Sequence, residues 1–111
     1  MDSGLNQQFL IFYVTAPTRS EAEHIARTLV EKKCAACISL VPQVDSFYWW
    51  KGVVEAAEEV MLIGKSTIDK KDEIIEVIRS VHSYEVPEII FVPLFAGHEP
   101  YLKWIQDSIK R

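Results

Sequence analysis

Seven consecutive residues, His82-Ser83-Tyr84-Glu85-Val86-Pro87-Glu88, set an imidazole, a phenol and two carboxylates side by side. An imidazole changes charge near neutral pH, so it can move a proton or ligate a metal, and carboxylates can share either task. A plainer reading is open too, in which His82 caps a helix and the acids are solvated. Cys34-Ala35-Ala36-Cys37 has the spacing of a redox or metal pair. Redox pairs of that spacing sit at a helix N-terminus, whose dipole lowers the thiol pKa, whereas this one follows a helix end. With Cys37 in a strand, residues three apart project to opposite faces, so two separate thiols are expected. No second pair completes a structural zinc site.

Other short motifs fail on inspection. His98-Glu99 begins like a zinc-protease helix, but Leu102 stands where the second histidine is needed and Pro100 interrupts. Gly64-Lys65-Ser66 ends like a phosphate loop, yet Glu59 replaces the first glycine and the stretch reads as strand. His24, beside Ile25, reads as a solvated helix residue. Tyr48-Trp49-Trp50 reads as core or subunit interface, with a ligand-stacking platform as the alternative.

The elements that must position these groups follow from periodicity. Residues 8–16 carry Phe9, Leu10, Ile11, Phe12, Tyr13 and Val14 ahead of Pro17, as a buried strand would. Thr18 and Glu21 have capping-box spacing, and Ala22, Ile25, Ala26, Leu29 and Val30 make one apolar helix face that ends near Lys32-Lys33. Residues 36–41 form a second strand, stopped or bent by Pro42. Residues 44–50 and 53–66 read as two strands joined at Lys51-Gly52. The latter is more than twice the usual length of about 5–6 residues, so part of it should project past the helices. A second helix opens at Asp69 or Asp72, buries Ile74, Val77, Ile78 and Val81, and closes at His82. Residues 89–94 form a last buried strand, followed by a short helix from about Pro100.

Strand, helix, strand, repeated twice, predicts an α+β ferredoxin-like split βαβ domain, with helices on one face of an antiparallel sheet. Its strands are apolar on both faces, so a neighbouring subunit is expected to bury the second one. The chain of 111 residues reads as a single domain over 1–111, with 1–7 a flexible N-terminus. A 49% apolar fraction is that of a folding chain, and a net charge of -4 disfavours nucleic acid. The longest apolar runs are too short to span a membrane, which needs about 20 residues, so no direct membrane insertion is expected. A cytoplasmic location with reduced thiols is expected accordingly.

Taken in order, Thr15-Ala16-Pro17, Ala35-Ala36-Cys37-Ile38, Tyr48-Trp49-Trp50-Lys51-Gly52, Glu58-Glu59-Val60, Lys65-Ser66, the His82 to Glu88 heptapeptide and Tyr101-Leu102-Lys103-Trp104-Ile105 resemble the CutA family. These are the divalent-cation tolerance proteins, and the match covers almost the whole chain. The resemblance implies a tight homotrimer, similar in architecture to the PII signalling proteins, with a role in metal homeostasis and copper or another divalent cation as the bound ion. Carried over by position, it implies Cys37 and His82 as metal ligands, with Trp50, Glu59, Lys65, Tyr84, Glu85 and Glu88 lining a cleft between subunits. A thiolate and an imidazole suit copper, Cu(I) in particular. Val14 and Val81 stand where copper-binding members can carry a cysteine and a further histidine, and Ser83 where proline is common. The alternative that the resemblance supports is a PII-like trimeric sensor or scaffold, binding a small ligand or an unidentified partner protein. An enzyme built on Lys65, His82 and Glu88 is not expected, because no nucleophile–base pair can be read from spacing.

Overall fold

The computed structural model describes residues 8–111; the flexible terminus expected for residues 1–7 lies outside them. In chain order the elements are β1 (Phe9–Ala16), α1 (Arg19–Glu31), β2 (Cys37–Trp50), β3 (Val53–Thr67), a 3-10 turn (Ile68–Lys70), α2 (Lys71–Val81), β4 (Ile89–Pro93) and α3 (Glu99–Ser108). The sheet runs β2-β3-β1-β4, antiparallel at every pairing. That is the strand order of two interleaved βαβ units.

Alternation along β1 decides what lies on each face. Leu10, Phe12, Val14 and Ala16 pack beneath α1 and α2, against Ala22, Ile25, Leu29, Ile74 and Ile78, in one buried cluster. Phe12 faces Gly64 on β3, where a Cβ would collide with the Phe12 ring. The missing side chain is therefore the space that the ring occupies.

The opposite face corrects the expectation that all helices share one side. Phe9 points away from Leu10 and joins Leu102 and Ile105 of α3 in a second cluster, so α3 covers one end of that face. Farther along, Tyr13 has Ile63 and Ile90 as its cross-strand partners, and Ile90 is 51% exposed. Among the described residues, no helix packs on this stretch of apolar sheet.

Helix α1 begins and ends as its sequence dictates. Thr18 Oγ1 accepts the Glu21 backbone N–H at 3.2 Å, satisfying one of the free amides of the first turn. At the other end the Cys34 N–H donates to the Leu29 carbonyl at 2.9 Å and the Lys33 N–H to the Val30 carbonyl at 3.0 Å. Lys33 adopts φ 62° to make this Schellman closure. The turn drops Cys34 into the core, where burial, and then the charge of Glu73, push its thiol pKa up. Cys37 starts β2 opposite Lys65, on the face away from α1. The two thiols are free, as the strand geometry requires.

Pro42 bends its strand rather than stopping it. The register shifts between Val41 and Val44, with Gln43 at φ 58°, a bulge that lets β2 continue to Trp50. Lys51 and Gly52, at φ 50° and 83°, close the hairpin with the two positive φ angles of a type I′ turn. Its tip projects as its length predicts, leaving Phe47 74% and Trp49 75% exposed. Among the described residues, no helix is long and apolar enough to cross a membrane.

Candidate functional site

The connector between α2 and β4 is where the chemistry of the sequence concentrates. Helix α2 ends at His82, whose backbone N–H still reaches the Ile78 carbonyl at 2.9 Å, so its capping role is real. The side chain does more, because it is wholly buried and both ring nitrogens are engaged. Nε2 lies 2.8 Å from the Thr15 carbonyl oxygen. A carbonyl can only accept, so Nε2 carries the proton and Nδ1 holds a lone pair. Nδ1 receives the Tyr84 N–H at 3.0 Å. These partners select the neutral Nε2–H tautomer.

The connector doubles back so that the Tyr84 ring lies against the imidazole, with centroids 4.8 Å apart. Its hydroxyl donates to Glu59 Oε2 at 2.7 Å, and Glu59 is only 7% exposed. Burial, then the hydrogen bond to Glu59 and its negative charge, push the Tyr84 pKa well above the usual phenol range. The phenol is therefore a fixed donor at physiological pH. The Ser83 N–H donates to Glu21 Oε2 at 2.8 Å, and the same carboxylate oxygen lies 3.4 Å from His82 Nδ1. Glu85 and Glu88 are exposed. Tyr84 and Glu85 border a groove of about 580 Å³ whose other wall is α2, with Asp72, Glu76 and Arg79.

The structure thus brings His82, Tyr84 and Glu59 together at one end of the sheet, with Glu85 beside them. Within one chain it does not bring the others. Lys65 stands six positions from Glu59 on β3, which is about 20 Å at ~3.3 Å per residue. Cys37 is the cross-strand neighbour of Lys65 and lies by Tyr101, whose pKa is raised by burial first and by that thiol second. Trp50 is at the hairpin tip, its ring 5.6 Å from Lys51 Nζ. Among the described residues of one chain, no three His, Cys, Asp or Glu side chains are grouped to hold a metal ion. A single chain thus does not fit the family's metal by itself: Cys37 lies in the row of Lys65 and Ile11, whereas His82 reaches the Thr15 carbonyl, four residues farther along β1.

Two partners in the assembled corner, Glu21 and the Thr15 carbonyl, are invisible to spacing. They lie 62 and 67 positions from the residues they bind. Glu21 reads in sequence as half of a capping box, and nothing local marks its carboxylate as reaching elsewhere.

Apart from Glu21, the corner is assembled from segments that carry the sequence resemblance, and a family model spans all of those segments. Residues 10–108 match the CutA1 divalent ion tolerance protein family. The chain belongs to this family. The CutA homolog of Xenopus laevis is 44% identical over 108 residues, covering 97% of this chain and 72% of the frog protein. Mouse CutA is 44% identical over 95 residues, 86% of this chain, but the chain spans only 54% of the mouse protein. The structure of the periplasmic divalent cation tolerance protein CutA from Archaeoglobus fulgidus superposes with a TM-score of 0.90 at 39% identity. That match covers 92% of this chain and 99% of the archaeal one. The CutA1 family fold is therefore carried essentially whole by the described residues.

Proposed function

We propose that the protein acts in divalent-cation tolerance as a homotrimer that takes up copper or another divalent cation at clefts between subunits. Family membership over residues 10–108 carries the tolerance role. The assembly is supported by the apolar sheet face that α3 covers at one end only, and by the exposed aromatic hairpin tip. Cys37 sits on that face and supplies the soft thiolate ligand that Cu(I) prefers. His82 is the companion ligand in this reading, and to serve it must give up the Tyr84 N–H at Nδ1. Because the two residues lie far apart in one chain, the site requires ligands from two copies. The proposed setting is the cytosol, where both free thiols stay reduced.

The same His82 geometry favours a second reading. An imidazole with both nitrogens bonded is a structural brace, and the corner would then serve a metal-independent sensor or scaffold. Its ligand or partner cleft would be lined by Trp50, Glu59, Lys65, Tyr84, Glu85 and Glu88.

Anaerobic titration with Cu(I) against a chromogenic competitor separates the two readings. The first expects about one equivalent per subunit, lost in both Cys37→Ser and His82→Ala, in a species of trimer mass by light scattering. No competitive uptake by a trimer favours the sensor or scaffold. A monomer at micromolar concentration refutes both.

A further inference from the structure

We infer that Glu21 is a positioning residue for the candidate site: its carboxylate, presented by the first turn of α1, latches the connector of residues 82–88 onto the N-terminal end of that helix. The role goes beyond metal uptake, because it concerns where the connector sits whichever ligand the corner serves.

The bonding at this corner separates two roles that one residue could have played. In a reciprocal capping box the acid at this position returns to the backbone of the capping residue. Here Thr18 Oγ1 accepts the Glu21 backbone N–H, but the Glu21 carboxylate turns away and accepts the Ser83 N–H at 2.8 Å. With its side chain only 17% exposed and 3.4 Å from His82 Nδ1, it lies in the crevice between α1 and the connector. Ser83 itself is exposed, so the bond lies at the mouth of that crevice, with the carboxylate on its sheltered side.

The connector needs such a latch because it has no ladder of its own. Residues 83–88 belong to neither helix nor strand, so side-chain contacts hold them. There are three tethers: His82 Nε2 to the Thr15 carbonyl, Ser83 N–H to Glu21, and the Tyr84 hydroxyl to Glu59. The first precedes the turn and the third lies at the far end of a long side chain. Among the described residues, Glu21 grips the connector backbone from outside it, and it thereby sets the approach of the Tyr84 amide to His82 Nδ1 and of the Tyr84 ring to the imidazole.

The test is amide hydrogen exchange of the full chain, resolved by residue with NMR, in wild type, Glu21→Ala and Glu21→Gln. The alanine variant is expected to speed exchange at Ser83 and Tyr84 by at least ~10-fold while Phe12 and Leu62 in the core keep wild-type rates. The glutamine variant keeps an acceptor oxygen, and is expected to restore protection to within ~3-fold of wild type. Unchanged exchange at Ser83 and Tyr84 in the alanine variant would overturn the proposal. So would equal acceleration at Phe12 and Leu62, which marks general destabilisation. Failure of glutamine to restore protection overturns it as well, because the loss would then belong to the charge at the α1 terminus and not to the bond.

Discussion

Tyr84→Phe removes one oxygen, and with it the hydrogen bond that the Glu59 carboxylate receives at 2.7 Å. Hydrogen bonds to charged groups contribute about 1.5–3 kcal/mol, and a buried acceptor left bare forfeits its desolvation cost. Glu59 is 7% exposed, so water can replace the phenol only in part, and the expected loss falls within that range. Glu59→Gln keeps an acceptor but not the charge, and should cost less, about 1 kcal/mol. Urea unfolding at one fixed protein concentration measures both, because the proposed assembly would make apparent stability concentration-dependent. A double-mutant cycle of Tyr84→Phe with Glu59→Ala should show about 1–2 kcal/mol of coupling, as expected of groups in direct contact. The pH dependence has a definite sign. Burial, then the Glu59 bond and charge, raise the Tyr84 pKa above its ordinary 10.0. A group whose pKa is raised in the folded state contributes fully below its unfolded pKa and loses that contribution as pH climbs toward the folded value. The gap between wild type and Tyr84→Phe should therefore hold from neutral pH to about 10 and close only above it. Additive single mutants, a cost below ~0.5 kcal/mol, or a gap that closes before pH 9 would refute the account.

Three further perturbations test the frame around the site. Gly64→Ala places a methyl group into the Phe12 ring and should destabilise by about 1–3 kcal/mol, as core overpacking does; a neutral effect by urea unfolding would mean the ring has room to move. Lys33→Gly relieves the left-handed conformation at φ 62° that closes α1 and should stabilise by about 0.5–1 kcal/mol in the same assay. Arg111 bonds Glu73 at 2.6 Å and holds that carboxyl below its ordinary 4.5. Stability from a depressed acid is present above its unfolded pKa and fades as pH falls through the folded one. The small gap expected between wild type and Arg111→Ala at neutral pH should accordingly shrink below pH 4.5, and a gap unchanged at pH 3 would count against the pairing.

Much of the candidate chemistry is legible in the chain because it is local. His82 to Glu88 is one contiguous segment, and a helix-to-strand connection with an imidazole and a phenol is conspicuous without coordinates. The pairing of Cys34 and Cys37 can be dismissed from alternation alone, and the structure leaves both thiols free. What the segment binds is not local. Glu59, Glu21 and the Thr15 carbonyl come from three other elements, and only the strand order β2-β3-β1-β4 carries them to the same corner. The same order holds Cys37 and His82 apart in one chain, although the resemblance groups them as ligands.

The fold itself divides along similar lines. Periodicity and punctuation determine the elements: three-and-one spacing of Ala22, Ile25, Ala26 and Leu29 makes α1, Thr18 starts it, and Lys51-Gly52 turns the hairpin. Those are short-range effects of backbone sterics, capping and burial, and each acts within a few residues. Tertiary structure alone decides that Pro42 bends β2 without ending it, because β3 offers partners on both sides of the bulge. It also decides that α3 crosses to the opposite sheet face, since Leu102 and Ile105 have Phe9 to bury against there. Helix α3 has an apolar stripe in any reading of its sequence. The stripe says that it must be covered, while which surface covers it depends on the shape that the rest of the chain has already made.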